Sequence, residues 1–174
     1  MTEAAEWDGD VGLRGDDPPA TPRNFDVVVV GSGAAGMTAA LTAAHHGLRV
    51  VVAEKAGTFG GSTARSGGGV WIPGNEALRR AGVRDTPEEA RDYLAHVAGD
   101  GVPADRQRAF LRHGPDMLSF VTAHSPLKLA WVPGYSDYYP EVPGGKACGR
   151  SVEPVPMDAH VLGPEEAGLN PPYL

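Results

Sequence analysis

The chain has 174 residues and carries 15 Lys plus Arg against 22 Asp plus Glu, a formal net charge of −7. That length supplies one domain with a real core and falls short of two full domains. The acidic balance lacks the positive field that nucleic acids attract, the single cysteine excludes an intrachain disulfide and a multi-thiolate metal cluster, and no stretch approaches the roughly 20 apolar residues that span a bilayer.

Residues 1–24 are acidic and proline-containing, with few aliphatics, and read as a disordered extension. They have no apolar centre of the kind a secretory signal needs, and with the lone cysteine this points to a cytoplasmic protein. Phe25 to Val30 ends in four consecutive β-branched valines, which predicts a strand covered on both faces, as in a parallel sheet. Ala34 to His46 is alanine-rich and reads as a helix with Gly47 as its stop, and Leu48 to Ala53 reads as a second strand. Strand, glycine turn, helix and strand make a βαβ unit with parallel strands. Gly57 to Gly74 is a long loop, or a helix start between loops. Thr86-Pro87-Glu88-Glu89 is a capping box that opens a helix running to about Val97. Asp105 to Arg112 reads as helical, Gly114-Pro115 as an interruption, and Asp116 to Ala123 as a resumption. Leu127 to Val132 alternates like a strand. From Pro133 onward, recurrent proline and glycine predict little regular structure.

The fold class is therefore α/β, a Rossmann-like βαβ unit with a parallel sheet, incomplete, followed by helices and a Pro/Gly-rich irregular segment. Residues 25–126 form the nucleotide-binding part, and 127–174 begin a substrate-side segment. Two parallel strands are too few for an independently stable sheet, so a larger protein with a further C-terminal half is expected.

Eleven of the 24 glycines fall between Gly31 and Gly74. Gly31-Ser32-Gly33-Ala34-Ala35-Gly36 is GxGxxG between a strand and a helix, the context that gives the pattern meaning. Gly31 permits the tight turn, Gly33 lets backbone approach a pyrophosphate, and Gly36 lets the helix pack on the strand. The helix N-terminus directs unpaired N–H groups at the phosphates. Glu54 ends the second strand where an acid accepts adenosine ribose hydroxyls and repels a 2′-phosphate; Lys55 follows it. A second cluster comes soon after: Gly60, Gly61, Ser62 and Thr63, then Ser66, Gly67, Gly68 and Gly69. Nicotinamide enzymes do not need such a loop there, whereas an FAD cradle does, with hydroxyl donors and close backbone beneath the pyrophosphate and beside the flavin ring.

These segments, FDVVVVGSGAAGMTAA and VVVAEKAGTFGGSTARSGGGVWIP, resemble the FAD-binding start of the flavoproteins that include fumarate reductases and 3-ketosteroid Δ1-dehydrogenases. Gly60 to Pro73 is most similar to the ketosteroid branch, as are Asp137-Tyr138-Tyr139-Pro140 and Gly149-Arg150-Ser151-Val152-Glu153-Pro154. The resemblance implies FAD as cofactor, a steroid or other apolar ketone as the small-molecule substrate, and desaturation of C1–C2 with hydride passing to flavin N5. It places Tyr139 in the active site, beside a catalytic tyrosine further along the chain. Lys146-Ala147-Cys148 reads as an insertion before Gly149, and Arg150 is given no role. A fumarate-reductase-like flavoprotein and a truncated, non-catalytic remnant are the alternatives. The histidines show no paired metal spacing, and no metal is expected.

Overall fold

The computed structural model describes residues 24–173. The extension read over residues 1–24 lies outside the described residues except for Asn24. Strand β1 (Val27–Val30), helix α1 (Ala34–His45) and strand β2 (Val50–Ala53) form the expected βαβ unit, and β1 and β2 pair in parallel with Val27 opposite Val50. The register is pinned at the strand entrance. Asp26 accepts from the Arg49 backbone N–H at 2.9 Å and from Nε and Nη2 of its guanidinium at 3.0 and 2.9 Å, which lowers the Asp26 pKa to about 2.

Two-sided burial of β1 is not what the structure shows. Val28 is 63% exposed and Val30 85% exposed. A single crossover helix covers one face of a two-stranded sheet, and among the described residues nothing covers the other.

The core lies elsewhere. Strands β3 (Val70–Trp71), β4 (Leu129–Trp131) and β5 (Ser151–Pro154) form an antiparallel sheet in the order β3-β5-β4. Ile72, Ala77, Leu78, Leu118, Leu129 and Val152 are buried against it. The short helix α3 (Glu76–Arg80) is started by Asn75, a fully buried residue. Its side chain accepts from the Leu78 N–H at 3.1 Å and donates to the Ile72 carbonyl at 2.7 Å. Helix α2 (Gly61–Arg65) occupies the first part of the glycine loop, which takes the helix start that the sequence left open.

Helix α4 (Pro87–Ala98) has the full capping box. The Thr86 hydroxyl accepts from the Glu89 N–H at 3.2 Å, and the Glu89 carboxylate accepts from the Thr86 N–H at 3.1 Å. Helix α5 (Ala104–Ala123) runs unbroken through Gly114-Pro115, contrary to the interruption expected there. Pro115 removes one ladder donor, yet Gly114 is buried. A methyl group on Gly114 would stand 3.2 Å from the Ile72 side chain. Packing on the core thus holds the helix across a pair that would end it in isolation. A third correction is β5. It falls in the segment expected to be irregular and is the central strand of its sheet, with Val152 fully buried. Downstream, Ala159–Gly168 forms 3-10 turns.

Candidate functional site

The first glycine turn has the shape its sequence predicts. Gly31 adopts φ +91, which L side chains rarely reach. Gly36 is packed so tightly on the turn that a methyl group there would overlap the Gly31 carbonyl. Gly33 differs. It precedes α1 with φ −71, and a methyl group on it would meet only the Thr63 hydroxyl, at 3.7 Å. The fold does not require glycine at 33, and the space in front of it is open.

The ladder of α1 begins with Met37 N–H donating to the Gly33 carbonyl at 2.9 Å. The amides of Ala34, Ala35 and Gly36 therefore have no partner within the helix. Ala34 N–H donates instead to Thr63 Oγ1 at 3.0 Å, at the exposed mouth of the turn. Open space before a glycine, first-turn donors and a hydroxyl at the same spot fit the pyrophosphate of a dinucleotide. The second loop is part of this arrangement. Gly60 and Gly61 take φ +100 and +55, and a methyl group on Gly61 would lie 3.5 Å from the Gly33 Cα.

Ser32 and Glu54 tie the two loops together. Glu54 accepts from the Ser32 N–H at 2.9 Å, from the Ser32 hydroxyl and from the Ala56 N–H at 3.0 Å. The Ser32 hydroxyl in turn accepts from the Gly60 N–H at 2.9 Å. The Ala56 amide and both Ser32 donors hold the Glu54 carboxyl down from 4.5 to about 2. A carboxylate offers about four acceptor sites, so one ribose hydroxyl can still join the three internal donors. Ser32 is 3% exposed and turned toward Glu54 rather than outward. Lys55 is exposed beyond it.

The remaining loop residues divide. Ser62 and Thr63 are exposed on α2. Ser66 closes α2, donating to the Thr63 carbonyl at 2.8 Å and accepting from the Gly68 N–H at 3.1 Å. Gly67 faces open space. At Gly68, φ is +70 and a methyl group would meet Pro154 at 2.6 Å, so this glycine serves β5 packing; at Gly69 it would lie 3.8 Å from Glu153. The loop is also strapped from downstream. Asn170 donates from its side chain to the Gly61 carbonyl at 2.9 Å and from its backbone to the Phe59 carbonyl at 2.8 Å.

Tyr138 and Tyr139 are 86% and 51% exposed, whereas Asp137 beside them is buried. Asp137 accepts from Trp71 Nε1 at 2.8 Å, from the Lys146 and Arg150 backbone N–H groups at 3.2 and 3.1 Å, and from Arg150 Nη1 at 2.6 Å. Arg150 is fully buried and also donates from Nε to Asp85 at 2.9 Å and from Nη2 to the Gly144 carbonyl at 2.9 Å. Lys146 adds a 2.9 Å contact to Glu89, which holds that carboxyl below its usual range. This network was missed from the sequence. The signal was the closeness of an aspartate and an arginine in two motif segments, and only the fold reveals that both are buried. Cys148 is exposed.

The FAD binding domain family matches residues 26–168. The chain belongs to this family. Its cofactor is FAD, in keeping with the open turn at Gly33. A 3-oxosteroid 1-dehydrogenase from Mycolicibacterium smegmatis is 69% identical over 153 residues, 88% of this chain and 27% of that protein. A 4-oxocyclohex-2-ene-1-carboxylate 5-dehydrogenase from Sinomonas cyclohexanicum is 44% identical over 149 residues, 86% of this chain and 25% of that protein. Among solved structures, 3-ketosteroid delta1-dehydrogenase from Sterolibacterium denitrificans, in complex with 1,4-androstadiene-3,17-dione, superposes with a TM-score of 0.77 at 42% identity. That match covers 86% of this chain and 26% of the other. The chain thus spans about a quarter of the length of the relatives it matches. Among the described residues of this FAD binding domain, no helix is long and apolar enough to cross a membrane.

Proposed function

We propose that this chain is the nucleotide-holding portion of an FAD-dependent dehydrogenase that introduces the C1–C2 double bond of a 3-ketosteroid. One observation carries the reading. The 69% match spans 153 of 174 residues, so it must include both the Gly31–Gly36 turn and the Tyr139 segment. Identity at that level across both sites favours shared substrate chemistry over a shared nucleotide fold alone. It also favours a ketosteroid over the small dicarboxylate of a fumarate-reductase-like enzyme.

In this reading Gly33, Ala34, Ala35 and Gly36 present backbone to the pyrophosphate, with Thr63 and Ser62 at its edge. Glu54 takes a ribose hydroxyl, and Gly61 sets the second loop against the first. When bound, FAD accepts the two electrons of the desaturation. The C2 proton of the steroid is acidified by the neighbouring C3 ketone. A phenol with a pKa about 10 is a weak base at neutral pH, and the Tyr139 hydroxyl assists by sharing charge with a catalytic tyrosine supplied from elsewhere in the enzyme. A cytoplasmic location is part of this reading, and the exposed, unpaired Cys148 is in keeping with it.

The test is a chimera in which residues 25–163 replace the matching segment of the Mycolicibacterium smegmatis relative. The purified chimera is expected to retain FAD and to reduce a dye with a 3-ketosteroid as donor. A folded chimera that binds FAD but leaves 3-ketosteroids untouched contradicts the substrate assignment, and a folded one that holds no flavin contradicts the nucleotide site.

A further inference from the structure

We infer that Arg150, acting through the buried carboxylate of Asp137, is a positioning residue that sets the Tyr139 hydroxyl for the desaturation step; the inference rests on the reading of Tyr139 as an active-site group. A guanidinium with no solvent exposure needs partners on every edge, and Arg150 has them: Asp85 on Nε, Asp137 on Nη1 and the Gly144 carbonyl on Nη2. Its faces are covered as well, by the rings of Trp71 at 5.7 Å and Tyr93 at 5.6 Å.

Two supports of the Tyr139 backbone involve this side chain. Asp137, two residues before Tyr139, is held by four donors, two of them from Arg150 and one from Trp71. Tyr139 itself donates its N–H to the Tyr93 hydroxyl at 3.3 Å, and the Tyr93 ring lies against the guanidinium. From below, Gly145 backs the same turn so closely that a methyl group there would stand 2.6 Å from the Tyr139 carbonyl. The backbone of Tyr139 is therefore clamped while its ring stands half exposed. That is the reverse of an aromatic residue packing a loop onto a core. A buried ion pair adds little stability over a well-packed apolar replacement, whereas it fixes direction through its planar fork. The arrangement fits the presentation of a side chain outward at a set angle.

The experiment is a double-mutant cycle in the flavin-loaded chimera. Arg150→Lys keeps the charge and loses the fork. It is expected to lower kcat per bound flavin roughly ten-fold, with the steroid KM changing less than about three-fold. In a Tyr139→Phe background the same change is expected to cost less than about two-fold further, because the hydroxyl it positions is already gone. Trp71→Phe removes the 2.8 Å donor to Asp137 and keeps an aromatic ring. It should show a smaller loss with the same non-additivity, and it carries the cycle if Arg150→Lys does not fold. Multiplying losses, or an unchanged kcat in a folded single variant at 71 or 150, overturn the inference and leave the reading of Tyr139 standing. A silent Tyr139→Phe in an active chimera overturns that reading and the inference with it.

Discussion

Gly36 faces the carbonyl of Gly31 so closely that no methyl group fits between them. This contact sets how near α1 lies to β1, and with it where the helix N-terminus points. Gly36→Ala must push the helix off the strand. Overpacking of this kind costs about 1–3 kcal/mol and occasionally more. Denaturant unfolding of the chimera should show that loss together with loss of flavin. An unchanged midpoint would mean the turn is looser than described.

Gly33 sits in the same motif and should fail in the opposite way. Its neighbourhood is open apart from Thr63 Oγ1 at 3.7 Å, and its φ of −71 suits any residue. Gly33→Ala should leave stability within about 1 kcal/mol, and Gly33→Val should still fold. Each should weaken flavin retention, the valine completely, because the side chain takes the place of the phosphate. A Gly33→Val chimera that stays yellow with full flavin stoichiometry contradicts the site.

The Ser32–Glu54 clasp carries a pH signature. The Glu54 carboxyl is held at about 2 against an ordinary 4.5. Its folded pKa lies below the unfolded one, so its contribution is present in full above about 4.5 and lost as pH falls through about 2. The Ser32 amide proton resonance should therefore titrate with a midpoint near 2, and Glu54→Gln should abolish the titration. A midpoint near 4.5 would show that the clasp does not form in solution.

The parts legible in the sequence were those written in local chemistry. Glycines 31 and 36 between two valine runs specify a turn, a helix and a parallel partner. Thr86 and Glu89 specify a helix start in the same way. The misses depend on contacts distant in sequence. Gly114-Pro115 breaks a helix in isolation, yet Ile72 fills the space beside Gly114 and the helix continues. Ser151–Pro154 is too short and polar to read as a strand until β3 and β4 flank it. The valines of β1 read as two-sided burial, while the described residues cover one side. Arg150 stands in a motif segment yet is given no role from sequence, because burial of an arginine is decided by its partners, and Asp85 and Asp137 lie 65 and 13 positions away. Ser32 and Glu54 were each singled out, but their mutual hydrogen bonds arise only when β1 and β2 pair.

The most direct test of the account is the turnover of Tyr139→Phe in the flavin-loaded chimera, with a 3-ketosteroid as donor. The change keeps the ring and removes one hydroxyl from a half-exposed residue, so the melting temperature should hold. If that hydroxyl shares charge with the base, kcat should fall about ten- to a thousand-fold, or about 1.4–4 kcal/mol, while steroid binding changes much less. A Tyr139→Phe enzyme with unchanged kcat and an unchanged melting temperature would contradict the account at its centre.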